Sequence, residues 1–167
     1  MLRRTLLLLG LGMLAAVSAP AQEERVELFG GYSYMHFHDS PSTNLNGWEM
    51  AGQYKFTNWL GGVADLDGHY GSFSGGVGTS TYTYLFGPQV SFPARVSPFA
   101  HLLLGGAHNS TAGFSSSSFS LALGAGIDTR VADKFSWRIL QGDYLLTQFG
   151  GGSQNNFRVS TGVLFRF

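Results

Sequence analysis

Asp65, Asp67 and His69 follow one another at intervals of two, so an extended backbone points all three side chains to one side. Two carboxylates and an imidazole on one face are the parts of a general acid–base site. His36 and His38 repeat the spacing and could clip a metal ion, although their place beside a polar stretch favours solvated histidines at a strand end. Gly75-Gly76-x-Gly78 and Gly150-Gly151-Gly152 are glycine-rich enough to approach a phosphate. No strand-to-helix pattern surrounds either, so a nucleotide reading fails. Asn109-Ser110-Thr111 matches a glycosylation sequon, a pattern too short to carry weight alone. Other charges stand singly within alternating stretches, among them Glu49, Lys55, Asp128, Arg130, Arg158 and Arg166. There is no cysteine, which excludes disulfide scaffolds, thiolate metal sites and cysteine nucleophiles. Basic and acidic residues number 10 each, so no surplus of positive charge points to nucleic acid.

The elements that must hold these residues are legible from composition and period. Charged residues are 12% of the 167, half the roughly 25% of an ordinary soluble domain, while aromatics reach 14% and glycines number 24. That much glycine opposes helix, where each one costs about 1 kcal/mol. Period two then recurs along the chain. Phe157, Val159, Thr161, Val163, Phe165 and Phe167 alternate with Arg158, Ser160, Gly162, Leu164 and Arg166, one apolar face against one polar or small face. Trp48, Met50, Gly52, Tyr54 and Phe56 oppose Glu49, Ala51, Gln53 and Lys55. Leu60, Ala64, Leu66 and Tyr70 oppose Asp65, Asp67 and His69; Tyr82, Tyr84, Phe86, Val90 and Phe92 oppose Thr81, Thr83, Gln89 and Ser91. Phe119, Leu121, Leu123 and Ile127 oppose Ser120, Ala122, Gly124, Gly126, Asp128 and Arg130. Weaker patterns cover Val26–Phe37, Pro98–Asn109 and Phe135–Phe149. In the last, Arg138, Gln141 and Asp143 do not share a parity, which predicts a bulge. Eight strands result.

The N-terminus stands apart. Arg3 and Arg4 precede an apolar stretch from Leu6 to Val17 and then Ala19-Pro20-Ala21, the pattern of a cleavable secretory signal peptide over residues 1–21. The stretch is shorter than the roughly 20 residues a membrane-spanning helix needs. Residues 22–167 are then a single exported domain. Its connections alternate: Asp39–Asn46, Gly71–Thr79, Asn109–Ser118 and Gly150–Asn155 read as long loops, while Thr57-Asn58, Pro93–Ser97 and Ala132–Lys134 read as tight turns. Long and short in alternation is the loop pattern of an up-and-down outer-membrane barrel, and an even strand number puts both chain ends on the short-turn side.

Alternation alone also fits a soluble, ligand-binding barrel with its apolar face inward. The polar face decides between them. A wet exterior carries abundant Lys and Glu, yet Lys55 and Lys134 are the chain's only lysines. Gly, Ala, Ser and Thr with isolated charges suit the crowded interior of an eight-stranded barrel, and a Tyr, Phe and Leu face suits lipid. On this reading Asp65, Asp67 and His69 join Glu49, Lys55, Asp128, Arg130, Arg158 and Arg166 in an interior network, since buried charges must be paired. Catalysis by the Asp/His trio remains the competing reading.

Three stretches give the chain a family resemblance: Leu28-Phe29-Gly30-Gly31-Tyr32-Ser33-Tyr34, Asn46-Gly47-Trp48-Glu49, and the closing Gly162-Val163-Leu164-Phe165-Arg166-Phe167. The mature chain resembles the small eight-stranded outer-membrane barrels of the OmpA/OmpX type over its whole length. The resemblance implies an all-β fold, an eight-stranded antiparallel up-and-down transmembrane barrel, located in the outer membrane. It implies that Ser160, Gly162, Phe165 and the terminal Phe167 form a C-terminal sorting signal, read by the barrel-assembly machinery after periplasmic chaperones deliver the chain. The other partners expected are outer-membrane lipid and lipopolysaccharide. A monomer without cofactor is expected, and no cell-wall tether, since no peptidoglycan-binding domain follows the barrel. A lipid A acyltransferase of the same strand number needs an amphipathic N-terminal helix, for which Gln22–Arg25 is too short. The expected role is structural or surface-active, with at most slow passage of small solutes. A rim-active protease or lipid-modifying enzyme is the alternative, and a soluble ligand-binding barrel a more distant one.

Overall fold

The structure, a computed structural model, describes residues 25–37, 43–73, 77–111, 113–149 and 152–167. The leader expected over 1–21, His38, Asp39, Gly75, Gly76, Gly150 and Gly151 lie outside the described residues. Eight strands follow in order: β1 Val26–Phe37, β2 Thr43–Lys55, β3 Leu60–Phe73, β4 Val77–Ser91, β5 Val96–Thr111, β6 Phe114–Arg130, β7 Phe135–Phe149 and β8 Gly152–Arg166. Each pairs antiparallel with the next, and β8 returns to β1 in register Tyr34↔Val159 through Leu28↔Phe165, closing a barrel. Closure leaves no edge strand, the condition a sheet must meet to sit in hydrocarbon.

Arg25 and Phe167 lie at one end, where the Phe167 N–H donates to the Val26 carbonyl at 2.9 Å. This terminal end also holds three compact turns. In the β2–β3 turn Thr57 Oγ1 accepts from the Leu60 N–H at 3.0 Å, and Ser97 Oγ donates to the Phe92 carbonyl at 2.6 Å beside the β4–β5 turn. At the far end the described parts of the long loops expected from sequence are almost wholly strand. Residues 43–46, 71–73, 77–79, 109–111, 114–118 and 152–155 are strand. The reason is physical: past the hydrocarbon both faces of a ladder are wet, so the period-two signal fades while the pairing continues. Phe114 to Ser117 are exposed at every position. Side chains reinforce the overhang, with Thr79 Oγ1 against Thr111 Oγ1 at 2.7 Å and His108 Nδ1 against Ser117 Oγ at 2.9 Å.

The apolar parity faces outward. Leu28, Met50, Leu66, Tyr84, Phe86, Leu104, Leu123, Leu140 and Val163 are all exposed. Two aromatic belts bound this band. Trp48, Tyr70, Tyr82, Phe119 and Phe157 stand toward the far end, with Tyr54, Phe56, Trp59, Phe92, Phe135, Trp137 and Phe167 toward the terminal end. Aromatic girdles of this kind sit where lipid meets water. Among the described residues, every exposed Lys, Arg, Asp or Glu belongs to the terminal end: Arg25, Arg95, Arg130, Asp133 and Lys134. No exposed charge falls inside the band.

Candidate functional site: the charged interior

Inward parity brings the isolated charges together. Arg158 on β8 is fully buried at the centre. Its Nε donates to Asp143 Oδ2 at 2.8 Å and its Nη1 to Asp65 Oδ1 at 2.9 Å and to Asp67 Oδ2. Nη2 lies 2.6 Å from Asp143 Oδ2 and 3.4 Å from Asp65 Oδ2. Glu49 Oε2 stands 3.6 Å from Nε and accepts from Ser160 Oγ. One guanidinium thus faces four carboxylates from β2, β3 and β7. Three of the four carboxylates, Glu49, Asp67 and Asp143, have further donors, which eases their burial in a low-dielectric site. Gln141 Nε2 donates to Glu49 Oε1 at 2.9 Å and Asp143 Oδ2 at 2.8 Å. His101 Nε2 lies 2.8 Å from Asp143 Oδ1, and His69 Nδ1 lies 3.1 Å from Asp67 Oδ1. His69 Nε2 reaches Ser33 Oγ at 2.9 Å, which reaches Ser160 Oγ at 2.9 Å.

Toward the terminal end a second cation is held differently. Arg138 is bidentate to Asp128, Nε to Oδ1 at 2.8 Å and Nη2 to Oδ2 at 3.1 Å, and its Nη1 donates to Gln141 Oε1 at 2.6 Å. Its guanidinium lies 4.5 Å from the Phe29 ring centroid and 4.2 Å from that of Phe99. An arginine against two rings gains cation–π attraction while its fork remains free for the carboxylate. Closer to the mouth, Glu27 Oε1 accepts from Lys55 Nζ at 2.6 Å and from Arg166 Nε at 2.7 Å. Met35, Leu45, Val63, Leu85, Leu103, Ala122 and Leu145 form one buried apolar cluster in the same interior. The space left among Met35, Thr83 and Leu145 is about 10 Å³, at the lower limit of what one water requires.

Of the residues singled out from sequence, the structure brings Glu49, Asp65, Asp67, His69 and Arg158 into one cluster. Asp128 pairs with Arg138, and Lys55 and Arg166 share Glu27. Arg130 is a correction: it has the inward parity of Asp128 but ends β6, where the barrel opens, and is exposed. Parity fixes a face and says nothing of depth. Sequence reasoning missed Glu27, His101, Arg138, Gln141 and Asp143 as interior partners. The β7 trio was hidden by the bulge its broken parity signals. Ladder partners shift between Arg138 and Gln141, so Ile139 and Leu140 both point outward while Arg138, Gln141 and Asp143 all point in. Thr161 Oγ1 donates to the Arg138 carbonyl at 2.9 Å within this irregularity.

The catalytic reading of Asp65, Asp67 and His69 meets an obstacle in access, because each is at most 1% exposed. His36 Nδ1 lies 2.7 Å from Asn44 Oδ1. Among the described residues no group of three or more His, Asp or Glu is arranged to hold a metal ion.

The C-terminal residues have structural work of their own. A Cβ on Gly162 would lie 2.4 Å from the Gly30 carbonyl oxygen and 2.5 Å from the Gly31 Cα, so β8 and β1 meet too closely there for any side chain. Phe165 stacks edge-on between Phe135, at 4.8 Å, and Phe167, at 4.5 Å.

The comparisons agree with this architecture. The family described as outer membrane protein beta-barrel domain matches residues 6–167. No curated protein matches the chain. Among solved structures, Neisserial surface protein A superposes with a TM-score of 0.73 at 14% identity, covering 85% of this chain and 97% of its own. OprG of Pseudomonas aeruginosa gives 0.63 at 10% identity, covering 86% and 96%. Ail, the attachment invasion locus protein of Yersinia pestis, gives 0.56 at 20% identity, covering 86% and 100%. At such identities these likenesses speak for the fold, and the family match spans nearly the whole chain. With its closed barrel, charge-free outer band and aromatic belts, this chain belongs to the outer membrane protein beta-barrel domain family and is a protein of the bacterial outer membrane.

Proposed function

We propose that the protein is a non-catalytic barrel that serves the envelope through its structure and its exposed far end, and that its lumen is plugged. The observation that carries this reading is the filled interior: Arg158 is wholly buried among four carboxylates, and an apolar cluster shares the lumen. A conducting path would have to break ion pairs whose loss costs several kcal/mol each. The terminal end faces the periplasm on this reading, with the Ser- and Thr-rich overhang outside the cell. That overhang is uncharged among the described residues, so its contacts with lipopolysaccharide or a surface partner rest on hydroxyls, amides and aromatics. Delivery by periplasmic chaperones, recognition of Ser160, Gly162, Phe165 and Phe167 by the assembly machinery, and a monomeric state in lipid complete the proposal.

Planar-bilayer recording of the refolded barrel tests it. The expected result is no steady open pore, with rare brief events at most. A porin-sized conductance overturns the plugged lumen, and hydrolysis or acyl transfer on outer-membrane lipid by the purified barrel overturns the non-catalytic reading.

A further inference from the structure

The terminal mouth holds a basin of about 570 Å³ lined by Lys55, Arg95, Arg130 and Arg166, with Asp133 as its one carboxylate. Glu27 enters from an overlapping lobe, where Lys55 and Arg166 already share its Oε1. Positive charge is therefore in surplus. Two observations show that the described residues do not neutralise it. Arg166 is 6% exposed, yet its Nη1 is buried without a hydrogen-bond partner among the described residues. Leaving such a group unpaired is costly, the more so when it is charged, unless something satisfies it. Arg95 and Arg130 form no ion pair among the described residues, and they lie side by side where β5 begins and β6 ends, the Arg130 N–H donating to the Arg95 carbonyl at 2.9 Å. Like charges placed across a ladder repel.

We propose that this basin binds a phosphate group, held by the guanidinium groups of Arg166 and Arg130, with Lys55 and Arg95 adding charge. Several oxygens around one tetrahedral centre match converging guanidinium forks better than a point charge does. A free phosphate of the periplasm and the headgroup of an inner-leaflet phospholipid offer the same chemistry at this depth. Binding there adds a ligand site to a barrel whose deeper arginines, Arg138 and Arg158, are paired with its own carboxylates.

The test titrates inorganic phosphate into the full barrel, refolded in a phosphate-free alkyl glycoside detergent, with phosphorus NMR and calorimetry as readouts. The expected result is saturable binding of one phosphate per chain that weakens with added salt. Arg166 lies in the closing strand and its loss threatens the fold, so the exposed Arg130→Gln and Arg95→Gln carry the decision, with gel heat-modifiability confirming each barrel. Each should weaken binding about tenfold, the worth of one charge-assisted hydrogen bond. Competition by a soluble short-chain phosphatidylglycerol assigns the site to a lipid headgroup, and indifference to it assigns the site to free phosphate; both support the proposal. Absence of saturable binding, or binding unchanged in both variants, overturns it. So does binding that emerges only after Glu23 and Glu24 are both changed to Gln, which would make the chain's own carboxylates the occupant.

Discussion

Replacing Arg158 with alanine removes the one cation that Glu49, Asp65, Asp67 and Asp143 share. All five guanidinium N–H groups have carboxylate oxygens within reach: Nε on Asp143, Nη1 on Asp65 and Asp67, Nη2 on Asp143 and Asp65. The side chain is fully buried, so water cannot take its place without reopening the interior. Breaking one buried pair costs about 3–5 kcal/mol, chiefly through the charge left behind, and here four carboxylates lose the cation they share. Arg158→Ala should therefore lose at least about 3–5 kcal/mol, and Arg158→Lys less, because a single ammonium keeps the charge but not the fork. Removing the charged groups together should restore much of the loss: Arg158→Met combined with Glu49→Gln, Asp65→Asn, Asp67→Asn and Asp143→Asn leaves polar groups that can pair with Gln141, Ser160 and His101. The assay is reversible unfolding in denaturant with the barrel in lipid vesicles, followed by tryptophan fluorescence and by gel mobility without boiling. Ser116→Ala, at the exposed far end, is the control. If Arg158→Ala loses under about 1 kcal/mol, no more than the control, the interior network is not what holds the barrel shut.

Cysteine placed at Ser116 should react with an impermeant reagent on intact cells, and cysteine at Asp133 should not; equal labelling would reverse or dissolve the proposed orientation. Gly162→Ala should destabilise by about 1–3 kcal/mol because its Cβ meets backbone of β1, whereas Gly30→Ala, with nothing within 4 Å, should leave the unfolding midpoint near its original value. Val163→Arg puts a charge on the lipid face beside Trp137 of the terminal belt and should cost about 0–1 kcal/mol, whereas Leu66→Arg, between the two belts, should cost about 2–4 kcal/mol, each measured by refolding into vesicles against the parent barrel. Deleting Phe167 should lower outer-membrane yield in cells while refolding into detergent stays near normal; normal assembly in cells would reduce Phe167 to a girdle aromatic.

Much of the barrel is legible in sequence because hydrocarbon imposes a strict rule: a strand that crosses it must alternate. In β8 the rule assigns every residue from Phe157 to Phe167 to the side it occupies. The rule loses force in two places. Beyond the lipid, as at Phe114–Ser118, no apolar face is required, and paired strand reads like loop. At the β7 bulge one extra residue reverses the parity, so Arg138 and Asp143, five apart, both turn inward. His101 stayed hidden for another reason. A lone imidazole between Ala100 and Leu102 has no partner within its own strand, and Asp143 lies 42 positions away. The exposed Arg130 shows the opposite error, a correct face at a depth where that face is already open to water.

The position of Arg158 in the last strand also sets an order of events. Its partners Asp65 and Asp67 lie 93 and 91 positions earlier, and Ser160 reaches Glu49 across 111. A nascent barrel of seven strands therefore carries four carboxylates that have not yet met their counter-ion. Addition of β8 completes the hydrogen-bond ring and discharges that repulsion in one event, which makes the half-closed barrel a poor resting place and closure all-or-none. The finished barrel should accordingly open slowly, since no strand at the seam can leave without stripping the cluster. Timing and stability then separate. Joining Phe167 to Arg25 and reopening the chain in the turn at 131–134 would deliver Arg158 early and preserve the same pairs, so the route to closure should change far more than the stability of what is formed.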